Sequence, residues 1–253
     1  MQNHTSTVSI VIPAKNEERY LPRLLKDLHQ QTHVPEQIIL ADAQSTDRTR
    51  EIGAEHGCLI VEGDMPGPGR NAGAKIATGE ILLFLDADVQ IRNRFFIEAA
   101  LEEFNKQHFD LAAPDIHLIG GNRADKFGHD FYNFYVRLWG ARWPHAPGFC
   151  TFIRRSLFEQ IGGFDPSVIL CEDHELAQRA RKHGKFGILE SVSIGVTDRR
   201  LRRDGGLVVA AKYVLAELHM LILGPIRHNA FHYDFGYDLD KDGVKGVDEV
   251  DGV

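Results

Sequence analysis

Asp86 and Asp88 stand at the end of an apolar run, Ile81 to Leu85, with only Ala87 between them. A run of that kind reads as a strand buried on both faces. Side chains two apart on an extended chain point to one side, so both carboxylates are expected to face a single ligand. Ligands of open α/β sheets gather at the carboxyl ends of strands. Two hard oxygen donors there suit Mg2+ or Mn2+, held through one or two carboxylates together with substrate phosphates. The plainer alternative is a turn, or a cap for the next helix; Asn93 is better placed for that cap, and one cap does not need two acids.

Other groups invite the same weighing. Glu172, Asp173 and Glu175 fall in the first turn of an expected helix, Glu172 to His183, where acids also complement the helix dipole. Arg199, Arg200, Arg202 and Arg203 form a basic cluster that suits phosphate groups through paired hydrogen bonds. A solvated charge run, or contact with anionic headgroups, are the alternatives. Near the C-terminus, DLDKDGVKGVDE fits the calcium-loop pattern D-x-D-x-D-G-x5-E, with Asp238, Asp240, Asp242, Val244 and Glu249 at ligand positions. Lys245 occupies a position that is normally aliphatic, and an acidic tail without Ca2+ is the competing reading.

The elements that must position these residues follow from periodicity. Val8–Ile12, Gln37–Leu40, Cys58–Val61 and Ile81–Leu85 read as strands. Between them lie a helix with Leu21, Leu24, Leu25 and Leu28 on one face and Pro22 in its first turn, a helix starting near Ser45, and a short helix from Arg70 to Ala77 after a loop with Gly63, Gly67 and Gly69. The alternation predicts an α/β fold: a mostly parallel central sheet flanked by helices. Beyond it the expected elements are a helix opened by Asn93, strands at 110–116, 148–153 and 185–196, short helices, and an apolar C-terminal helix, Leu207 to Leu223. One domain over 1–233 is expected (a first half at about 7–120, a second at 121–204, a helical extension at 205–233), followed by the acidic tail 234–253.

Composition narrows the class. The chain has 253 residues, 43% of them hydrophobic and 26% charged, which is ample for one large core. Its net charge of −7 is uneven: Asp234 to Asp251 holds seven acids and two lysines, a net −5. Nothing in that balance calls for nucleic acid as a partner. Three scattered cysteines argue against a disulfide framework, and the first residues lack the pattern of a signal peptide, so a cytoplasmic setting is expected.

Six signals then line up in order: PAKNEE at 13–18, ADAQSTDRT at 41–49, GRNAGAKIATGE at 69–80, FLDADV at 84–89, IGGFD at 161–165 and CEDHELAQRARKHG at 171–184. Over roughly residues 7–204 the chain resembles the inverting nucleotide-sugar glycosyltransferases of family 2 with the GT-A fold. That resemblance implies a nucleotide-binding half followed by an acceptor half. It places Pro13, Ala14 and Glu17 on a loop beside the nucleoside and makes Asp42 the acid that hydrogen-bonds the base, usually uracil. Gln44 stands where the family frequently has glycine. Asp47 is read first as an early-helix acid. Arg70 matches a basic residue near the nucleotide, and Asn71 and Gly73 are read as shaping the short helix. Asp86, Ala87 and Asp88 match the metal and diphosphate motif, Asp173 the general base with Glu172 as second choice, and Arg199 and Arg200 the residues that neutralise diphosphate.

The implied partners are a nucleoside-diphosphate sugar, UDP-sugar favoured, and a glycan, lipid or small-molecule acceptor. A polyprenyl phosphate acceptor at a membrane surface, or a sugar-nucleotide-binding protein without chemistry, are the alternatives. The Leu207–Leu223 helix carries Lys212, Glu217 and His219, too many polar groups for a comfortable span. Core packing or a homodimer contact is one reading of it, and an in-plane, peripheral membrane helix the other. The aromatic stretch Phe127 to Trp143 is either an acceptor lid or core.

Overall fold

The computed structural model describes residues 6–64 and 66–228. Its first half alternates strand and helix because the apolar spacing does. Strand β1 (Val8–Ala14) is buried along nearly its whole length, and helix α1 (Leu21–His29), with Pro22 in its first turn, sinks Leu21, Leu24, Leu25 and Leu28 completely. There follow β2 (Gln37–Asp42), α2 (Thr49–Glu55), β3 (Leu59–Glu62), α3 (Pro66–Ile76) and β4 (Ile81–Leu85), every residue of which is buried. The second half runs α4 (Phe96–Lys106), β5 (Leu111–Ile119), α5 (Arg123–Trp139), β6 (Cys150–Arg154), α6 (Arg155–Gln160), α7 (Glu172–Ala180), β7 (Phe186–Thr197), α8 (Arg199–Asp204) and α9 (Gly206–Leu223).

The strands form one seven-stranded sheet in the order β3-β2-β1-β4-β6-β5-β7. β3, β2, β1 and β4 are mutually parallel, β6 is antiparallel to both its neighbours, and β5 and β7 are parallel. The expectation of a mostly parallel sheet flanked by helices is met. From β1 the chain steps outward to β2 and β3, then returns to place β4 on the other side of β1. Such a reversal opens a crevice at the strands' carboxyl ends. One face of the sheet packs against α1 and α4, the other against α3, α6 and α7. Gly73 allows α3 its close approach: a Cβ there would lie 2.4 Å from Val11 Cγ1. Asn71 pins the Gly162–Gly163 turn by a pair of hydrogen bonds to Phe164, at 2.8 and 2.9 Å. Both residues therefore shape α3 and its packing, as expected.

Several local expectations need correction. α3 starts at Pro66, so Gly67 and Gly69 lie inside the helix rather than in a loop. Proline suits a first helical turn, and the lack of a side chain at Gly69 lets the backbone oxygen of Asp64 approach a Cβ position to 3.0 Å. Ser45 does not cap α2, which begins at Thr49; its hydroxyl accepts instead from the Asn16 N–H at 2.9 Å. Asn93 accepts from Phe95 N–H at 2.9 Å, a turn just ahead of α4. The aromatic stretch is not core, since Val136 is the one buried residue of α5. The calcium-loop pattern at Asp238–Glu249 and the tail 234–253 lie outside the described residues.

Candidate active site

The loops after β1 and β2 are tied into one unit. Asn16 and Gln44 both adopt left-handed backbone, at φ 56° and 58°. That region disfavours residues with a Cβ, so Gln44 holds a conformation that glycine would adopt at lower cost. Asn16 Oδ1 accepts from Thr46 N–H at 2.8 Å, Thr49 Oγ1 accepts from Glu17 N–H at 2.7 Å, and Asp47 Oδ2 accepts from Glu18 N–H at 3.1 Å. Asp47 also accepts from Thr49 N–H at 2.9 Å, so it serves the start of α2, as expected, and clamps the two loops besides. Pro13 and Ala14 lie on the last residues of β1, in register with Ala41 and Asp42. Asp42 is fully buried; its Oδ2 accepts from Ser45 N–H at 3.2 Å and pairs with Arg50 Nη1 at 3.3 Å, while its Oδ1 has no partner.

Asp86, Ala87 and Asp88 are not an extended continuation of β4. The strand ends at Leu85, and a turn closed by Val89 N–H on Asp86 O follows. The two carboxylates accordingly meet different cations. Asp86 Oδ1 accepts from Arg70 Nη2 at 2.8 Å. Asp88 Oδ2 accepts from Thr197 Oγ1 at 3.4 Å and lies 3.9 Å from Arg199 Nη1. Burial, reinforced by the charge of Asp86, raises the Asp88 carboxyl above the ordinary range, against the pull of Arg199. A two-residue bridge between Gln90 and Gly195, with bonds of 2.9 and 3.1 Å, brings the end of β7 to this turn.

Two arginines organise the charge. Arg70, on α3 and only 3% exposed, donates to Asp86 and, from Nη1, to Glu172 Oε1 at 2.8 Å. Gly148 makes room for that guanidinium, because a Cβ there would sit 2.7 Å from Arg70 Nη2. Arg199 donates to both oxygens of Glu17 at 3.2 Å and stacks over Tyr20, 4.9 Å from the ring centroid. Burial pushes Glu17 up to about 8; Arg199 opposes it and the charges of Asp88 and Asp86 add to it. Arg200 donates to Tyr213 Oη on α9 at 3.2 Å, and its charge also reaches Asp88.

The start of α7 supplies the remaining acids. Cys171 precedes the helix in left-handed backbone, φ 58° and ψ 36°, a conformation that persists in non-glycine residues only where the surroundings enforce it. Glu172 points inward to Arg70, and burial, with the neighbouring Asp173 charge, pushes it up to about 7 despite that guanidinium. Asp173 is held differently: Oδ2 accepts from Gly148 N–H at 2.6 Å and Oδ1 from His174 N–H at 2.8 Å. Its side chain is the more accessible of the two, 19% against 11%.

Thus Glu17, Arg70, Asp86, Asp88, Glu172, Asp173 and Arg199 converge, with Arg200 at the margin, bonded to Tyr213 and acting on Asp88 through its charge. Gly148 and Thr197 were not singled out by sequence, since a lone glycine and a lone threonine carry no motif. Another unforeseen group centres on Glu217, which accepts from Tyr135 Oη at 3.0 Å, Trp143 Nε1 at 2.6 Å and His145 Nε2 at 3.1 Å. Among the described residues no three His, Cys, Asp or Glu side chains are grouped to hold a metal. Asp86 and Asp88 remain 39% and 31% exposed at their side chains. Two accessible carboxylates fit a divalent ion that takes its other ligands from phosphate and water.

The family model for glycosyl transferase family 2 matches residues 9–162. A 4,4'-diaponeurosporenoate glycosyltransferase of Staphylococcus haemolyticus is 36% identical over 242 residues, covering 89% of this chain and 62% of the relative. The glycosyltransferase AglE of Haloferax volcanii is 24% identical over 190 residues, covering 70% of this chain and again 62% of the relative. The chain therefore spans about three-fifths of these relatives' length. Among solved structures, the mannosyltransferase PcManGT of Pyrobaculum calidifontis, in complex with GDP-Man and Mn2+, superposes with a TM-score of 0.70 at 19% identity, covering 94% of this chain and 71% of that one. TarS of S. aureus with UDP gives 0.61 at 19% identity, covering 85% and 72%. These two likenesses establish the GT-A fold, and the sequence match across the first strands and the Asp86–Asp88 turn establishes the rest: the chain belongs to glycosyl transferase family 2.

Proposed function

We propose that this chain transfers a sugar, with inversion, from a nucleoside diphosphate to an acceptor hydroxyl. The observation that carries the reading is the single buried guanidinium of Arg70, which binds Asp86 and Glu172 at 2.8 Å each. It draws the expected diphosphate end and the expected base end of the site to one place, although 86 residues separate those two acids in sequence.

In this reading the loops at Pro13, Ala14 and Glu17 border the nucleoside. The partnerless Oδ1 of Asp42 accepts a base N–H once the covering loops part, since that atom is buried. Asp86 and Asp88 hold Mg2+ or Mn2+, and such an ion supplies Lewis-acid stabilisation of the charge that develops on the leaving diphosphate. Arg199, held between Glu17 and Asp88, meets the diphosphate with guanidinium hydrogen bonds. The acceptor oxygen attacks the anomeric carbon, the carbon–oxygen bond to the diphosphate breaks, and its electron pair leaves with the nucleoside diphosphate. Asp173 takes the acceptor proton. It suits that role better than Glu172, whose side chain is less accessible and whose Oε1 is bound by Arg70. A positioned base contributes about 10²–10⁴-fold. The UDP and GDP-Man bound in the fold relatives support a nucleotide-sugar donor. The unpaired Cys58, Cys150 and Cys171 are compatible with a reducing, cytoplasmic setting.

Calorimetry with UDP and GDP, in Mn2+ and in EDTA, tests the donor side. The reading expects one nucleotide to bind more tightly with the ion, and the difference to vanish in Asp86→Asn and Asp88→Asn. Equal affinity with and without the ion in the parent chain would remove the metal from the account.

A further inference from the structure

We propose that α5 and α9 form a docking face for an anionic lipid surface. The two helices run side by side in the same direction: Gly206 lies against the Asp125 carboxylate near their starts, and Glu217 accepts from Tyr135 Oη at 3.0 Å further along. α5 exposes Phe127, Phe131, Phe134 and Leu138 at 58–71%, spaced four, three and four residues apart, which puts them on one stripe. α9 buries only Val209, Ala216 and Met220, and its exposed positions are apolar except for Tyr213. Its partly covered side carries Lys212, Glu217 and His219.

The pattern selects the occupant. A partner helix covers one stripe, but the exposed apolar residues of α9 span about half of its circumference beside the α5 stripe, a breadth that hydrocarbon accommodates. Charge agrees. Asp198 to Asp204, leading directly into α9, holds four arginines and two aspartates, a local +2 in a chain of net −7, with Arg199 turned to Glu17 and Arg200 bonded to α9. Basic residues beside an apolar helix suit anionic headgroups. By length and composition α9 is also sufficient to cross a membrane, with 18 residues and mean hydropathy 1.7. Glu217 decides against crossing. It accepts hydrogen bonds from Tyr135, Trp143 and His145, and a spanning helix would leave those partners and carry a charge into hydrocarbon. The helix therefore lies in the interfacial plane, latched to the protein by Glu217. His145 precedes Gly148, whose N–H holds Asp173, so the acceptor approaches from the lipid side; that last consequence rests on the transfer reading.

The test is sedimentation of the full chain with phosphatidylcholine vesicles and with vesicles containing phosphatidylglycerol as well. Binding is expected to the mixed vesicles, with a fall at high salt. The paired change Leu218→Glu, Ile222→Glu is expected to cut it at least tenfold while leaving melting temperature and UDP affinity as in the parent. No sedimentation of the parent overturns the proposal, as does equal binding by the variant. A dimer of the parent that the variant dissociates, without vesicle binding, would assign the face to a second copy and overturn it too. UDP affinity is read on the same samples, so failure of the transfer reading appears separately from failure of lipid docking.

Discussion

Replacing Arg70 with methionine removes the cation shared by Asp86 and Glu172, and those acids should not respond alike. The Asp86 side chain is 39% exposed and can turn to water, whereas that of Glu172 is 11% exposed and cannot. Even beside Arg70, burial and the Asp173 charge raise Glu172 from 4.5 to about 7, so keeping it ionised at neutral pH costs roughly 3 kcal/mol at about 1.4 kcal/mol per tenfold. Breaking a buried pair by removing one partner typically costs about 3–5 kcal/mol. The sign with pH follows. A carboxyl whose native pKa lies above its unfolded value favours the native state only while protonated, a contribution complete below 4.5 and lost as pH climbs through about 7. Arg70→Met moves the native value higher still. Its deficit against the parent should therefore be smallest near about pH 5 and grow by about 1.4 kcal/mol by about pH 8, because the two chains diverge only above the parent's value of about 7, at about 1.4 kcal/mol per pH unit. Urea unfolding at both pH values, with Glu172→Gln completing a double-mutant cycle, measures it; the double variant should recover much of the loss. A deficit equal at both pH values, or one that shrinks as pH rises, would overturn this assignment of Arg70 and Glu172.

Arg199→Ala should weaken UDP or GDP binding about 10–100-fold, the loss of a charge-assisted hydrogen bond, while Arg200→Ala, whose side chain bonds Tyr213, should change it little by calorimetry. Gly73→Ala forces a Cβ to 2.4 Å from Val11 Cγ1 and should cost about 1–3 kcal/mol in chemical unfolding. Truncation before Asp234 should leave nucleotide binding and transfer intact, and calcium titration of full and truncated chains tests whether Asp238–Glu249 binds Ca2+ at all.

The sheet was legible because its signals are local and repeated. Ile81–Leu85 is apolar at every position and buried at every position, and the four leucines of α1 fall on the buried face their spacing demands. Asp86 and Asp88 were identifiable by type and place, but not their geometry: a turn replaces the extended chain, and it is set by a hydrogen bond no periodicity records. The start of α3 was hidden because Gly67 and Gly69 read as loop residues, while close packing of Gly69 against the Asp64 backbone is what favours glycine inside the helix. Arg199 and Arg200 are adjacent in sequence, yet Glu17, on a loop 182 residues away, holds one, and a tyrosine of α9 bonds the other. Such pairings are tertiary. The same holds for Glu217, an ordinary acid in an apolar helix until Tyr135, Trp143 and His145 surround it.

The role of Asp173 is the most direct test of the account. Asp173→Asn and the parent would be incubated with radiolabelled UDP-sugars or GDP-sugars and a total lipid and glycan extract, with nucleotide affinity measured alongside. Nucleotide affinity should be unchanged, because Asp42, Asp86 and Asp88 are untouched, and label transfer should fall by about 10²–10⁴-fold. Transfer within about threefold of the parent would contradict the base assignment.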